Sequence, residues 1–323
     1  MSRRKEENCR MTPDDFCTMF RCHTGELSEE FLRELGRVDT SYRPADPEER
    51  ETYILQVLKR ISDPYVARSR EENLDAFEKG WRKNLALLRE NGPTALSLKP
   101  LYFRPSPFLR YRDNLIVSGN TGLEYDLFTL ARMILFRKHL SGFERIYELG
   151  CGSCQNLLML TEMFPEKSLY GLDWTPASAE IANCLGEILD RRIGGMAFDM
   201  MAPPAEGIIA PGSAVITVHA LEQIGEKHEG LLRYLHDCRP GLVLHYEPVL
   251  EFYREESLLD FLALMYCRRR NYLTGFLTAL RRLEEEGKIE ILGAWRPYLG
   301  GVIHEASLII WRPAVKKIRR GKA

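Results

Sequence analysis

Ile146-Tyr147-Glu148-Leu149-Gly150-Cys151-Gly152-Ser153-Cys154-Gln155, followed by Ser168-Leu169-Tyr170-Gly171-Leu172-Asp173, is the stretch on which the fold reading turns. An apolar strand runs into a glycine turn, a helix from Gln155 to about Phe164 follows, and a second apolar strand ends in a carboxylate. Glycines at such a turn let the backbone approach a ligand with no Cβ in the way, and the next helix begins with unpaired N–H groups. A carboxylate at the tip of the second strand is placed to accept ribose hydroxyls. The unit reads as a cradle for a nucleotide-type cofactor.

Two cofactor classes use such a cradle, and the third small position separates them. A dinucleotide fingerprint needs glycine where this chain has the bulky, polar Gln155. The spacing Glu148-x-Gly150-x-Gly152 instead resembles the first motif of class I S-adenosylmethionine-dependent methyltransferases. The resemblance implies S-adenosyl-L-methionine as cofactor, with Gly150 and Gly152 beneath its methionine part and Glu148 organising the loop from behind. It implies Asp173, with Trp174 beside it, at the ribose. It also implies Asp199, after a strand ending in Phe198, at the adenine amino group, and Tyr125 closing over the cofactor from the N-terminal side. Cys154 departs from the family pattern, where a third glycine is common.

From Arg145 onward strand and helix signals alternate. Strands are expected at Arg145–Leu149, Ser168–Leu172, Gly195–Phe198, Ala214–Val218 and Leu242–Tyr246, and helices at Gln155–Met163, Pro176–Leu189, Glu226–Asp237 and Ser257–Leu283. Lys288–Trp295 and Val302–Trp311 read as a closing antiparallel pair. The pattern implies an α/β fold, a Rossmann-like doubly wound, mostly parallel sheet, and the resemblance adds the antiparallel last strand. Residues 1–140 read as a helical accessory region: a capped helix at Ser28–Leu35, periodic segments at Thr52–Ile61 and Asn73–Arg89, then a proline-broken extended arm at Lys99–Phe108. The polar loop Val117–Tyr125 reads as a mobile segment beside a ligand. The expected organisation is 1–140 accessory, 141–315 cofactor domain and 316–323 a basic tail.

Lys+Arg number 45 against Asp+Glu 46, a formal net charge of -1, so no global field recruits nucleic acid or a membrane. The charged start lacks the apolar stretch of a signal peptide, and a cytoplasmic protein is expected. Cys9, Cys17, Cys22 and His23 cluster, but their spacings lack tight zinc pairs, and a metal is not expected. Cys151 and Cys154 have C-x-x-C spacing inside the glycine loop, where a redox role is not expected.

Ligands of doubly wound sheets bind beyond the carboxyl ends of the strands. The tips there carry His219-Ala-Leu-Glu222-Gln223 and His245-Tyr246-Glu247. Methyl transfer to an alcohol needs the hydroxyl proton removed. His219 is the expected base, Glu222 or Glu247 its orienting partner or a substrate contact, and His304 a further candidate. A divalent cation on the same groups is an alternative, not an expectation. The Trp81-Arg-Lys-Asn-Leu85 helix, the Asn120–Glu124 loop and the segment Ala214–Gln223 look similar to bacterial sugar O-methyltransferases acting on surface polysaccharide or nucleotide-linked sugars. The favoured partner is therefore a small-molecule acceptor, a sugar hydroxyl first. The alternatives are a methyltransferase acting on protein or RNA and a non-catalytic cofactor-binding protein. The basic run Arg268–Arg270 with Arg281 and Arg282 reads as a solvated helix face rather than a phosphate site.

Overall fold

The computed structural model describes residues 9–314; the charged start and the basic tail read above lie outside them. In chain order the N-terminal part comprises β1 (Cys9–Arg10), α1 (Pro13–Phe20), α2 (Glu29–Arg37), β2 (Ser41–Pro44), α3 (Pro47–Ser62), α4 (Arg70–Asn91), β3 (Phe108–Tyr111), β4 (Asn114–Val117) and α5 (Leu123–Leu140). Then follow β5 (Arg145–Leu149), α6 (Gln155–Met163), β6 (Ser168–Asp173), α7 (Pro176–Leu189), β7 (Ile193–Ala197), β8 (Ala214–Val218), α8 (Glu229–Cys238), β9 (Leu242–Glu247), α9 (Leu258–Arg269) and α10 (Phe276–Glu285). The chain closes with β10 (Ile289–Trp295), β11 (Leu299–Gly300) and β12 (Ser307–Pro313).

Seven strands form one sheet in the order β10-β12-β9-β8-β5-β6-β7. β9, β8, β5, β6 and β7 pair in parallel, while β12 is antiparallel to both β9 and β10. The chain winds outward from β5 in one direction and from β8 in the other, so the crevice between their carboxyl ends is where a ligand is expected. Alternate residues feed the two faces. Ile146, Leu169, Ile216 and Leu244 pack with α5, α6 and α7, whereas Tyr147, Leu172, Val215, Val243 and Trp311 pack with α8 and α10. A polar thread crosses the second face: Trp311 Nε1 donates to His245 Nε2 (3.0 Å), and His245 Nδ1 meets Thr217 Oγ1 at 2.9 Å. Burial holds His245 neutral, with its pKa pushed down to about 3, so this histidine is a strut.

Three expectations are corrected. The N-terminal region is not wholly helical, since β1, β2, β4 and β3 form a second sheet whose fifth strand, β11, comes from the C-terminal end of the chain. The expected single helix Ser257–Leu283 is two, because the chain turns through left-handed Asn271 (φ 53°) and Gly275 (φ 73°) and buries Tyr272 and Leu273. The loop before α5 is pinned rather than loose: Ser118 Oγ donates to Ser41 O (2.8 Å), and Asn120 bonds both Asp126 and the Gly122 N–H.

The two parts share one core, running from Phe16 and Phe20 through Trp81 and Leu88 to Ile310. They are also tied by a buried cluster of charges. Arg110 of β3 and Arg296 both reach Asp260 of α9 and Glu305, all between 0 and 5% exposed. Removing one member of such a cluster strands the others in a medium that solvates charge poorly. Asp260→Ala is therefore expected to cost about 3–5 kcal/mol of unfolding free energy, read from urea denaturation. A loss under about 1 kcal/mol would show that the cluster is not a tie.

Candidate functional site

Beyond the carboxyl ends of β5, β6 and β8 lies an open cavity. Its floor is the turn Gly150–Ser153 with Glu148, Gln155 and Asn156. One end is walled by Asp173, Trp174, Phe198 and Asp199, and the other by Val218, His219, Ala220 and Gln223. The sequence-predicted cofactor residues other than Tyr125 therefore meet in one place. Tyr125 sits outside the lining, its ring 5.0 Å from that of Phe103 and beneath the Lys99 ammonium.

The turn adopts its form because β6 holds it. Gly150 N–H and Cys151 N–H donate to Leu172 O at 2.6 and 3.3 Å, and Gly152 N–H donates to Asp173 Oδ2 at 3.0 Å. The other Asp173 oxygen accepts from Thr175 N–H (2.8 Å) and Thr175 Oγ1 (2.7 Å). Burial pushes the Asp173 carboxyl up from its ordinary range, against these donors, which favour the ion. A carboxylate has roughly four acceptor sites, so room for a ligand hydroxyl remains beside the three bonds made.

Both glycines lie at positive φ, Gly150 at 72° and Gly152 at 52°. A Cβ on Gly150 would collide with that of Ala220, and one on Gly152 would come within 2.9 Å of Trp81 Cζ2. Their immediate reason is thus the close approach of two other segments of this chain, the loop after β8 and helix α4.

Helix α4 is the part of the site that the sequence reading missed. Its Phe77 and Trp81 stack at 6.0 Å and line the cavity, and Tyr102 follows from the arm behind them. Glu78 Oε2 caps the Ala177 N–H at the start of α7 (3.0 Å), and Arg82 pairs with Glu180 at 2.7 Å. Arg70, in the first turn, pairs with Asp199 and lies 5.4 Å over the Trp174 ring. Phe77 and Trp81 belong to an apolar stripe with Leu85 and Leu88, which reads as core; two aromatics at its open end were the available signal.

At the far end His219 stands in the left-handed region, φ 51°, where a side chain other than glycine is uncommon. The bend is held from below. Glu247 is fully buried, and its carboxylate accepts the Ala220 and Leu221 N–H groups at 3.1 Å and that of Glu222 at 3.4 Å. Burial, reinforced by Glu222, pushes the Glu247 carboxyl up to about 7. Glu247 thus fixes the loop and does not line the cavity. Glu222 is the residue beside the imidazole: its Oε2 lies 3.5 Å from His219 Nδ1. Burial alone would lower the His219 pKa, but Glu222, with Glu247 and Glu124 further off, raises it above the ordinary 6.5. The ring is packed by Phe128 (5.2 Å), Tyr246 (6.0 Å) and His304 (6.3 Å). His304, the further candidate base of the sequence reading, stands beside His219 but outside the cavity lining, and burial keeps it neutral, with its pKa down at about 4.

Among the described residues no group of three or more His, Cys, Asp or Glu side chains is placed to hold a metal ion. No helix there is long and apolar enough to cross a membrane. The basic run is divided: Arg268 pairs with Glu255 at 2.6 Å, and Arg270 donates to Val66 O at 2.7 Å.

No family model matches the chain, and neither does any curated protein sequence. Among solved structures it resembles the S-adenosylmethionine-dependent methyltransferase SibL in its apo form, with 18% identity, 95% of this chain and 90% of that one covered, and a TM-score of 0.45. It also resembles a geranyl diphosphate methyltransferase in complex with GPP and sinefungin (15%, 75% and 98%, TM-score 0.42). A third is the O-methyltransferase of a Brevibacillus brevis trans-AT PKS multienzyme with S-adenosyl-L-homocysteine (12%, 56% and 70%, TM-score 0.41). At these identities and TM-scores the likenesses fix neither reaction nor acceptor.

The imidazole geometry carries its own test. In a histidine-resolved NMR titration His219 is expected to protonate above pH 6.5, while His304 and His245 stay neutral down to pH 5. Glu222→Gln removes the carboxylate that favours imidazolium and should lower the His219 value. A value unmoved by Glu222→Gln would dissolve the pair.

Proposed function

We propose that this chain is an S-adenosylmethionine-dependent methyltransferase that methylates a hydroxyl of a small molecule. The observation that carries the reading is that the Asp173–Trp174 end and a carboxylate-paired imidazole, His219, open into the same cavity. The residues suit this cofactor. Asp173 makes one wall acidic, which favours a cationic ligand and opposes a pyrophosphate, and Gln155 stands where a dinucleotide needs glycine. Trp174, Phe198, Phe77 and Trp81 offer apolar surface for a base and sugar.

When bound, the cofactor supplies an electrophilic methyl group on a sulfonium. The chain's own contribution is positioning and proton removal. With Nδ1 turned toward Glu222, Nε2 of His219 is left to take the proton of an acceptor hydroxyl, and Glu222 balances the imidazolium formed. Glu247 holds the loop that carries both. Asp173 and Trp174 hold the ribose end, and Arg70 with Asp199 closes the adenine end. Phe128, Tyr246 and His304 pack behind the His219 ring and hold it, while the aromatic lining of the cavity itself, Phe77, Trp81 and Tyr102 among it, suits the flat face of a sugar ring or a phenol. A sugar hydroxyl remains favoured by the sequence resemblance. The RNA-directed alternative draws little from the basic run, in which Arg268 and Arg270 bond within the chain.

Calorimetric titration with S-adenosylmethionine, S-adenosylhomocysteine and NAD is expected to show micromolar binding of the two sulfur ligands and none of NAD. Asp173→Asn should weaken the sulfur ligands by about tenfold or more, given one lost charge-assisted hydrogen bond and a loosened Gly152. Binding of NAD alone would overturn the reading. Once a hydroxyl acceptor is found by mass shift, kcat/KM should rise with pH through a value above 6.5, because the base must be neutral. Glu222→Gln should slow the reaction and shift that limb to lower pH. A wild-type rate in His219→Ala would remove His219 from the chemistry.

A further inference from the structure

Glu148 ends the strand that feeds the glycine turn, and its carboxylate is in the cavity floor, 1% exposed. One oxygen takes the Asn156 amide, with Nδ2 at 2.5 Å; the other, Oε2, has no hydrogen-bond partner among the described residues. Asn156 in turn accepts from Arg132 Nη1 at 2.5 Å, and Arg132 is itself buried and held by Phe128 O and Thr129 Oγ1. A buried carboxylate oxygen with no donor is costly as an ion. The acid instead keeps its proton: burial raises the Glu148 carboxyl to about 8, Asn156 and Arg132 oppose this, and Asp173 and Glu247 add to it. Tyr102 from the arm, and Cys151 and Cys154 from the turn, complete the titratable groups around it.

A sulfonium cofactor and the thioether left after transfer have nearly one shape but differ by one positive charge. A binding site can separate them only through an interaction that sees that charge. Asp173 is bonded to three donors, with its remaining site facing the ribose in the reading above, and Asp199 is paired with Arg70, whereas Glu148 is the lining acid with a buried oxygen that has no donor. We propose that Glu148 is the specificity-determining residue by which this cavity prefers the charged sulfonium to its neutral thioether product, giving up a proton when the charged ligand enters. The inference rests on the methyl-donor reading. The exchange balances: the neutral acid and the cation become a carboxylate–cation pair and one proton released to solvent. Because that proton must leave, affinity for the sulfonium should fall as pH drops below about 8, and affinity for the thioether should change less.

The test uses the full chain and two ligands, S-adenosylmethionine and S-adenosylhomocysteine, titrated calorimetrically at pH 7 in two buffers of different ionisation enthalpy. Wild type should release more protons with the sulfonium than with the thioether. Its preference for the sulfonium should shrink about tenfold or more in Glu148→Gln, the order expected for one close charge pair at a partly screened site. Glu148→Asp, which keeps the charge, should retain part of the preference. Equal proton release for both ligands in wild type overturns the proposal without recourse to any variant, and so does an unchanged preference in a folded Glu148→Gln protein. Failure of both ligands to bind wild type would instead remove the methyl-donor reading on which it stands.

Discussion

The bond from Gly152 N–H to Asp173 joins the turn after β5 to the tip of β6, and the rest of the site is arranged around that junction. It holds the turn against its neighbour strand, so that Gly150 can meet Ala220 and Gly152 can meet Trp81. The same device recurs at the other tips: Asp199 accepts the Met201 N–H, and Glu247 accepts three successive N–H groups of the loop that carries His219 and Glu222. The tips of β6, β7 and β9 thus each carry a carboxylate that organises backbone before it can serve any ligand. Turns with exposed N–H groups at the end of a parallel sheet need acceptors, and charged acceptors make the stronger bonds.

How much of this was legible in the sequence follows from the range of the forces involved. β5, β8, α6 and α7 agree with the sequence reading to the residue, because their signals are local: apolar runs for doubly covered strands, and helical periodicity bounded by glycine, proline or a short polar turn. The small N-terminal sheet went unread for the same reason in reverse. β1 and β11 have two residues each, and β3 and β4 four, too short for an alternation to register. The turn between β3 and β4 places Arg112 and Asp113 at φ 47° and 62°, the left-handed pair that a two-residue hairpin needs, without the glycine that would announce it. The helix from Ser257 looked continuous because Tyr272 and Leu273 keep an apolar rhythm across the break at Asn271.

Within the site, residue types were legible and their partners were not. Histidine and two glutamates at the ends of β8 and β9 suggested a base and its orienter, but which glutamate did which was set by a bend at His219 that propensity disfavours. Glu247 took the backbone and Glu222 the imidazole. The glycines were read as space for a ligand, whereas their first requirement is space for Ala220 and Trp81. Helix α4 was read as a periodic helix of the accessory region, without a place in the site; Trp81, Leu85 and Leu88 are buried, and Phe77 and Trp81 also line the cavity.

The placement of α4 bears on why one core serves both parts of the chain. Trp81 packs on Gly152, Glu78 caps α7, Arg82 binds Glu180 and Arg70 binds Asp199, so a single helix reaches the turn, the helix after β6 and the tip beyond β7. Several of these contacts are exposed ion pairs, each of modest worth. The contact of Trp81 with Gly152 is different, because the Cβ-free turn and the indole each require the other. A helix fixed by its buried Trp81, Leu85 and Leu88, and fastened at its open end by solvent-screened pairs, can loosen at Arg70 without unpacking. The cavity's Asp199 end is therefore the end with the weakest closure, and the floor at Gly152 lies beneath the most firmly packed part of the helix.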